Sequence, residues 1–294
     1  MKIDGVFAGG GIRAFAFIGA LQVLEEKKYE FVRLAGTSAG ALFSAFVKAG
    51  YNSDEINELL CELDLEKFLD RRHNIFLPLM KWLALYFRLG LYKGDALEKW
   101  VFEKLAAKGI ETFGDIEEGT LKIVASDITR GRIVVLPDDL PQYGHDPDDF
   151  PVAKAIRMSV SIPYFYEPVK LMNLKTKEKS IIVDGGILSN FPLWLFHDEK
   201  KAMRPVIGFR LTPNIDQMPP AKIKNAIQMF HSLFETMRNA HDVRYIEEEQ
   251  AKNIVFIPIA DVKATDFHLS KTKIRSLITI GREQTEKFFR KWSY

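Results

Sequence analysis

The run Gly36, Thr37, Ser38, Ala39, Gly40 constrains this 294-residue chain most tightly, because it joins an apolar strand-like stretch (29–35) to an apolar helix-like one (41–48). A G-x-S-x-G pentapeptide at such a junction reads as a nucleophile elbow, a strand-to-helix turn so sharp that only small flanking residues fit. A helix opening directly after the serine also brings backbone N–H groups and a positive dipole end beside its oxygen. In a chain with 19 glycines the pentapeptide alone says little, and a Gly/Ser turn with an idle serine is the plain alternative. Its place between strand and helix gives it weight.

A second unit of the same kind precedes it. Residues 3–8 read as a strand, Gly9, Gly10 and Gly11 as a turn, and 12–27 as a helix whose apolar side includes Phe15, Ile18, Leu21, Val23 and Leu24. Glycines let backbone N–H groups turn toward a bound oxygen, so the loop suits a phosphate or an oxyanion. A dinucleotide site would need G-x-G-x-x-G and an acidic residue closing the next strand. Here position 14 is Ala14 and the next strand runs into Gly36 and Ser38, which argues against a dinucleotide.

Further helices are expected at 53–63, 95–108, 221–249 and 270–292, and strands at 121–125, 132–136, 181–183, 206–211 and 254–259. Helical connections between the early strands predict an α/β fold with a mostly parallel sheet covered on both faces. With 47% hydrophobic residues and no linker-like tract, residues 1–294 read as a single domain. The 41 Lys+Arg and 39 Asp+Glu leave a net +2, too little to recruit nucleic acid. A single cysteine, Cys61, excludes a disulfide framework and a multi-cysteine metal site, and reads as a buried small apolar residue. Together with an N-terminus that lacks a signal-peptide pattern, it points to the cytoplasm. Between 75 and 92, 14 of 18 residues are apolar, but Pro78, Lys81, Arg88 and Gly90 interrupt the run, which is too short and too charged to span a bilayer. This segment suits a lid, an acyl-chain channel, a peripheral membrane contact or a core helix.

The third signal is Ile181, Ile182, Val183, Asp184, Gly185, Gly186, an aspartate closing an apolar strand before two glycines. Alone it is an Asp-Gly turn. Taken with the first two, it completes the requirements of acyl transfer: a nucleophile at Ser38, N–H donors at Gly10 and Gly11, and a carboxylate at Asp184 to accept the serine proton.

These blocks, at 9–13, 36–40 and 184–186, resemble in content and order those of the patatin-like phospholipase family. Residues 125–132 look like that family's hairpin. Residues 158–169, with Ser159, Ser161, Ile162, Pro163, Phe165 and Pro168, look like its segment before the catalytic aspartate. The resemblance covers roughly 3–210. It departs at Ala14, where the family usually has glycine, and at Gly186, where many members have alanine. It implies a three-layer α/β/α fold and a lipid acyl hydrolase, of phospholipase A or lysophospholipase type, acting on a lipid or phospholipid ester. Ser38 would be the nucleophile and Asp184 its base, in a dyad without histidine. Gly10 and Gly11 would form the oxyanion hole, Arg13 would stabilise negative charge beside it, and Gly9, Gly36, Gly40, Gly185 and Gly186 would be the motif glycines. The route is an acyl-enzyme hydrolysed by water, and it calls for no metal or other cofactor. A free aspartate, with a pKa of about 3.9, is a weak base, so the dyad relies on burial and on donors that make proton removal concerted with attack.

Two rivals stand beside this reading. An ordinary α/β-hydrolase would complete a triad with His197, His231, His241 or His268, but it normally builds several strands before its nucleophile, and here one strand–helix unit comes first. The other is a non-enzymatic lipid-binding module that uses 75–92.

Overall fold

The computed structural model describes residues 1–61, 68, 70, 85–196, 204–213, 223–225, 228–229, 232–237, 251–259, 262 and 269–292. In chain order the elements are β1 (Lys2–Phe7), α1 (Phe15–Glu26), β2 (Glu30–Thr37), α2 (Ala39–Lys48), α3 (Ser53–Cys61), β3 (Gly90–Tyr92), α4 (Asp95–Ala106), β4 (Leu121–Asp127) and β5 (Arg132–Leu136). There follow α5 (Val152–Ser159), β6 (Tyr164–Tyr166), β7 (Val169–Met172), β8 (Lys179–Asp184), β9 (Val206–Pro213), β10 (Ile254–Ile259) and α6 (Lys271–Lys291). The helix expected over 221–249 falls largely outside the described residues, as does 75–84 of the apolar segment.

The main sheet runs β10-β9-β1-β2-β4-β8-β7, with β5 also on β4. The pairings from β10 through β4 are parallel, and β5, β8 and β7 join antiparallel. Side chains of β1 alternate between two cores. Ile3 and Phe7 join the larger, which receives α1, α2 and α5, while Val6 and Ala8 join a second with Phe191, Leu193 and Phe196. A strand buried on both faces is mostly apolar, and β1 is so except at Asp4, whose buried carboxylate accepts from the Arg33 guanidinium at 2.8 Å. This is the expected three-layer α/β fold with a mostly parallel sheet.

Phe7 is the hub of the larger core, stacked on Phe209 at 4.7 Å, tilted against Phe43 at 4.9 Å and edge-on to Phe17 at 5.1 Å. Such aromatic pairs add about 0.5–1.5 kcal/mol each beyond their area burial. They fix β1, β9, α1 and α2 relative to one another. On its other side α1 meets α6, and Gly19 and Gly281 let the backbones touch.

The structure extends or corrects several expectations. β2 continues through Gly36 to Thr37, and residues 11–14 form a short 3-10 turn before α1. The sequence reading missed β3, β6, β7 and α5. The three strands are only three or four residues long, and α5 carries Lys154 and Arg157 on a helix of eight residues. Cys61 is exposed, not buried. Helix α3 faces the core with Ile56, Leu59 and Leu60, and position 61 lies more than a third of a turn from Ile56, off that stripe.

The α1–α6 contact gives a direct test of the packing. A methyl group at residue 281 would lie 1.8 Å from the Ala16 carbonyl oxygen. Gly281→Ala is expected to destabilise the protein by about 1–3 kcal/mol, read as a lower urea midpoint at unchanged m-value.

Candidate active site

Sheet register brings the three sequence blocks together. β1 and β2 run parallel with Phe7 opposite Gly36, so the glycine loop and the elbow leave the same end of the sheet. β2 ends with Thr37 opposite Val124 of β4, and β8, running the other way, ends with Asp184 opposite Ala125. The two strands thus approach β4 from opposite directions and stop side by side. Two strand spacings, about 9–10 Å, separate their backbones, and the side chains of Ser38 and Asp184 close that gap. Ser38 Oγ donates to Asp184 Oδ2 at 2.6 Å, and both residues are buried.

The elbow is as sharp as the pentapeptide requires. Ser38 has φ +55° and ψ −125°, a conformation that a residue with a side chain rarely adopts. The flanking glycines are close contacts. A methyl at Gly36 would lie 2.4 Å from the Gly40 carbonyl, and one at Gly40 would lie 2.3 Å from the Phe7 carbonyl oxygen. Gly9 packs against Ser38 Cβ and Thr37, and Gly185 against Val124 and Thr37. The Gly186 N–H donates to Asp184 Oδ1 at 2.8 Å, so each carboxylate oxygen has its own donor.

A brace beneath the pair is built from residues 157–161, whose individual roles the sequence did not disclose. The Ser38 N–H donates to Ser159 Oγ at 2.8 Å, and Ser159 Oγ donates to the Val124 carbonyl at 2.5 Å. The Asp184 N–H donates to the Ser161 carbonyl at 2.8 Å. The last residue of α5 and the turn that follows it therefore hold the backbones of both residues. Arg157, almost fully buried, donates to Ser161 Oγ and to the carbonyls of Lys93 and Glu167. Burial pushes its guanidinium pKa down, but a guanidinium stays charged, and these acceptors are what make the burial tolerable. The signal was an arginine in a mostly apolar stretch just before two serines, Ser159 and Ser161.

In the glycine loop, Gly11 has φ +55°, and among the described residues neither the Gly10 nor the Gly11 N–H meets an acceptor. The Gly10 carbonyl accepts from the Arg13 N–H at 3.3 Å and from Arg13 Nε at 3.2 Å. In a trans peptide the next N–H points opposite to the carbonyl, so the Gly11 N–H is turned away from Arg13. Arg13 itself is buried, pairs with Glu235 at 3.5 Å, and is not among the residues lining the cavity beside Ser38.

That cavity has a volume of about 130 Å³ and is bounded by Gly11, Ser38, Leu42, Phe46, Leu97, Ile162 and other apolar residues. Its polar side chains are Ser38 and Tyr166, and burial raises the Tyr166 phenol well above its usual value, keeping it neutral. Of the described histidines, His145 is engaged with the Met172 carbonyl at 2.8 Å. The triad candidates His197, His231, His241 and His268 lie outside the described residues.

A nucleophile elbow against a carboxylate, beside a glycine loop and an apolar cavity, defines a hydrolase-type site on an α/β fold. A family model described as patatin-like phospholipase matches residues 5–197, and the chain belongs to that family. The Bacillus subtilis uncharacterized protein YqhO is 54% identical over 297 residues, covering all of both chains. Among solved structures, VipD from Legionella pneumophila shares the fold with a TM-score of 0.58 at 18% identity, over 98% of this chain and 66% of that one. ExoU from the type III secretion system of Pseudomonas aeruginosa gives a TM-score of 0.54 at 17% identity, over 99% of this chain and 51% of that one. This chain therefore spans about two thirds of one and half of the other.

Removing the brace hydroxyl isolates its contribution. Ser159→Ala leaves the buried Ser38 N–H without its acceptor, which is expected to cost about 1–3 kcal/mol. Urea denaturation checks this, and a cost below about 0.5 kcal/mol, the range of ordinary surface substitutions, would contradict it.

Proposed function

We propose that the protein is a cytoplasmic lipid acyl hydrolase working through a Ser38–Asp184 dyad. The observation that carries this reading is the direct 2.6 Å hydrogen bond between the two buried side chains, at the mouth of an apolar cavity. As Ser38 Oγ attacks the ester carbonyl, its proton passes to Asp184 Oδ2. The carbonyl oxygen takes up the negative charge and is met by the N–H groups of Gly10 and Gly11. Collapse expels the alcohol, which takes the proton from Asp184. Water then attacks the acyl-serine with Asp184 as base, releasing the fatty acid and restoring Ser38. The Gly186 N–H on Oδ1 orients the carboxylate throughout. Arg13 acts as a positioning residue, holding the Gly10 carbonyl so that the Gly11 N–H is free to donate.

A dyad is favoured over a triad because an imidazole cannot stand between groups 2.6 Å apart. Access to lipid is supported by an aromatic edge beside the cavity. β3 pairs with β6, whose Tyr166 lines the cavity, while Tyr86, Phe87, Leu89 and Tyr164 around that pair are exposed. Among the described residues no helix is long and apolar enough to cross a membrane, so peripheral contact through the end of the 75–92 segment is the mode proposed.

The dyad makes a kinetic prediction. Ser38→Ala and Asp184→Asn should each lower kcat/KM for phospholipid and short-chain ester hydrolysis by at least about 10³-fold while the far-ultraviolet circular dichroism is kept. An Asp184→Asn enzyme within tenfold of wild type would contradict the assignment of the base. For the edge, Tyr86→Ser with Phe87→Ser should weaken flotation with phosphatidylcholine vesicles and leave hydrolysis of a soluble ester unchanged.

A further inference from the structure

The cavity beside Ser38 ends against Phe46 at its far side along α2, and this bears on which acyl chains the site takes. Ser38 stands at the N-terminus of α2, Leu42 and Phe46 follow it at i+4 and i+8 on the helix, and all three line the cavity. At a rise of about 1.5 Å per residue, Phe46 stands about 12 Å along the helix from the serine. Behind Phe46 there is core. Its ring meets Trp100 edge-on at 5.5 Å and Tyr51 at 5.6 Å, and it is 1% exposed. Phe68, also on the cavity wall, meets the same Trp100 at 5.6 Å, and Leu97 lies one turn before that tryptophan on α4. Among the described residues, the far wall is therefore an interlocked aromatic cluster.

We infer that the cavity is an acyl-chain pocket for medium-length chains of about six to ten carbons, with Phe46 as the residue that sets the limit. The inference rests on Ser38 being the acylated residue. Length and volume give the two bounds. An extended chain built from C–C bonds of about 1.5 Å advances about 1.25 Å per carbon, so about 12 Å admits at most about ten carbons. A dry apolar cavity of about 150 Å³ holds a benzene molecule, so the volume of about 130 Å³ suits about six carbon atoms without rearrangement. The lining offers an acyl chain no charged side chain, and the Tyr166 phenol stays neutral.

The test is kcat/KM across p-nitrophenyl esters from acetate through butyrate, hexanoate, octanoate, decanoate and laurate to palmitate, all dispersed at one fixed detergent concentration and each referred to the fraction of Ser38 that a fluorophosphonate labels. Wild type should gain up to about fourfold per methylene as the pocket fills, peak between hexanoate and decanoate, and fall at least tenfold by palmitate. Phe46→Ala should move the peak to laurate or longer. Leu42→Trp, which fills the pocket nearer the serine, should move it to butyrate or shorter, so the two variants shift in opposite directions. A wild-type optimum at laurate or beyond, or profiles unchanged in both variants, would overturn the pocket assignment while Ser38 labelling left the dyad standing. Absence of labelling together with hydrolysis of no ester would overturn both.

Discussion

The backbone of Ser38 is the constraint on which the rest of the site depends. A serine at φ +55° and ψ −125° is held in a conformation worth about 1–3 kcal/mol of strain, and it persists only because its surroundings leave no alternative. Gly36 and Gly40 lie too close for side chains, Gly40 rests on the carbonyls of Phe7 and Ala8, and the Ser38 N–H is fastened to Ser159. Relaxing the elbow would break those contacts together. The hydroxyl is consequently presented to Asp184 before any substrate arrives, and such preorganisation is what makes fixed dipoles effective in catalysis.

β4 supplies the distance. It receives β2 on one side and β8 on the other, and its residues Val124 and Ala125 stand opposite Thr37 and Asp184. The Val124 carbonyl also accepts from Ser159, so the brace is tied to the same point of the sheet. Arg157 extends the arrangement outward, linking the brace to Lys93 and Glu167 and hence to the β3–β6 edge where the exposed aromatic residues lie. The proposed lipid-facing rim and the serine are thus connected through one buried guanidinium.

Much of this was legible in the chain. The elbow, the glycine loop and the Asp-Gly-Gly turn are local patterns with a physical reason for each residue, and strands 132–136 and 254–259 have the bounds expected from their apolar runs. What could not be read came from partners distant in sequence. Ser159 is an ordinary helix-end serine until the sheet brings Ser38 within 2.8 Å, and Arg157 reads as a surface residue because two of its acceptors, the Lys93 and Glu167 carbonyls, lie on other segments. β3 and β6 are too short to show a period-2 pattern. Cys61 misled because cysteine is usually buried, whereas a helix buries a stripe and not a residue type.

The central claim is that Ser38 is the activated nucleophile and Asp184 is what activates it. The most direct measurement is peptide mapping by mass spectrometry after reaction with a fluorophosphonate at neutral pH, for wild type and for Asp184→Asn. The account expects one adduct, on the peptide carrying Ser38, forming far more slowly in the variant. An adduct on a different serine, or equal rates in the two proteins, would contradict it.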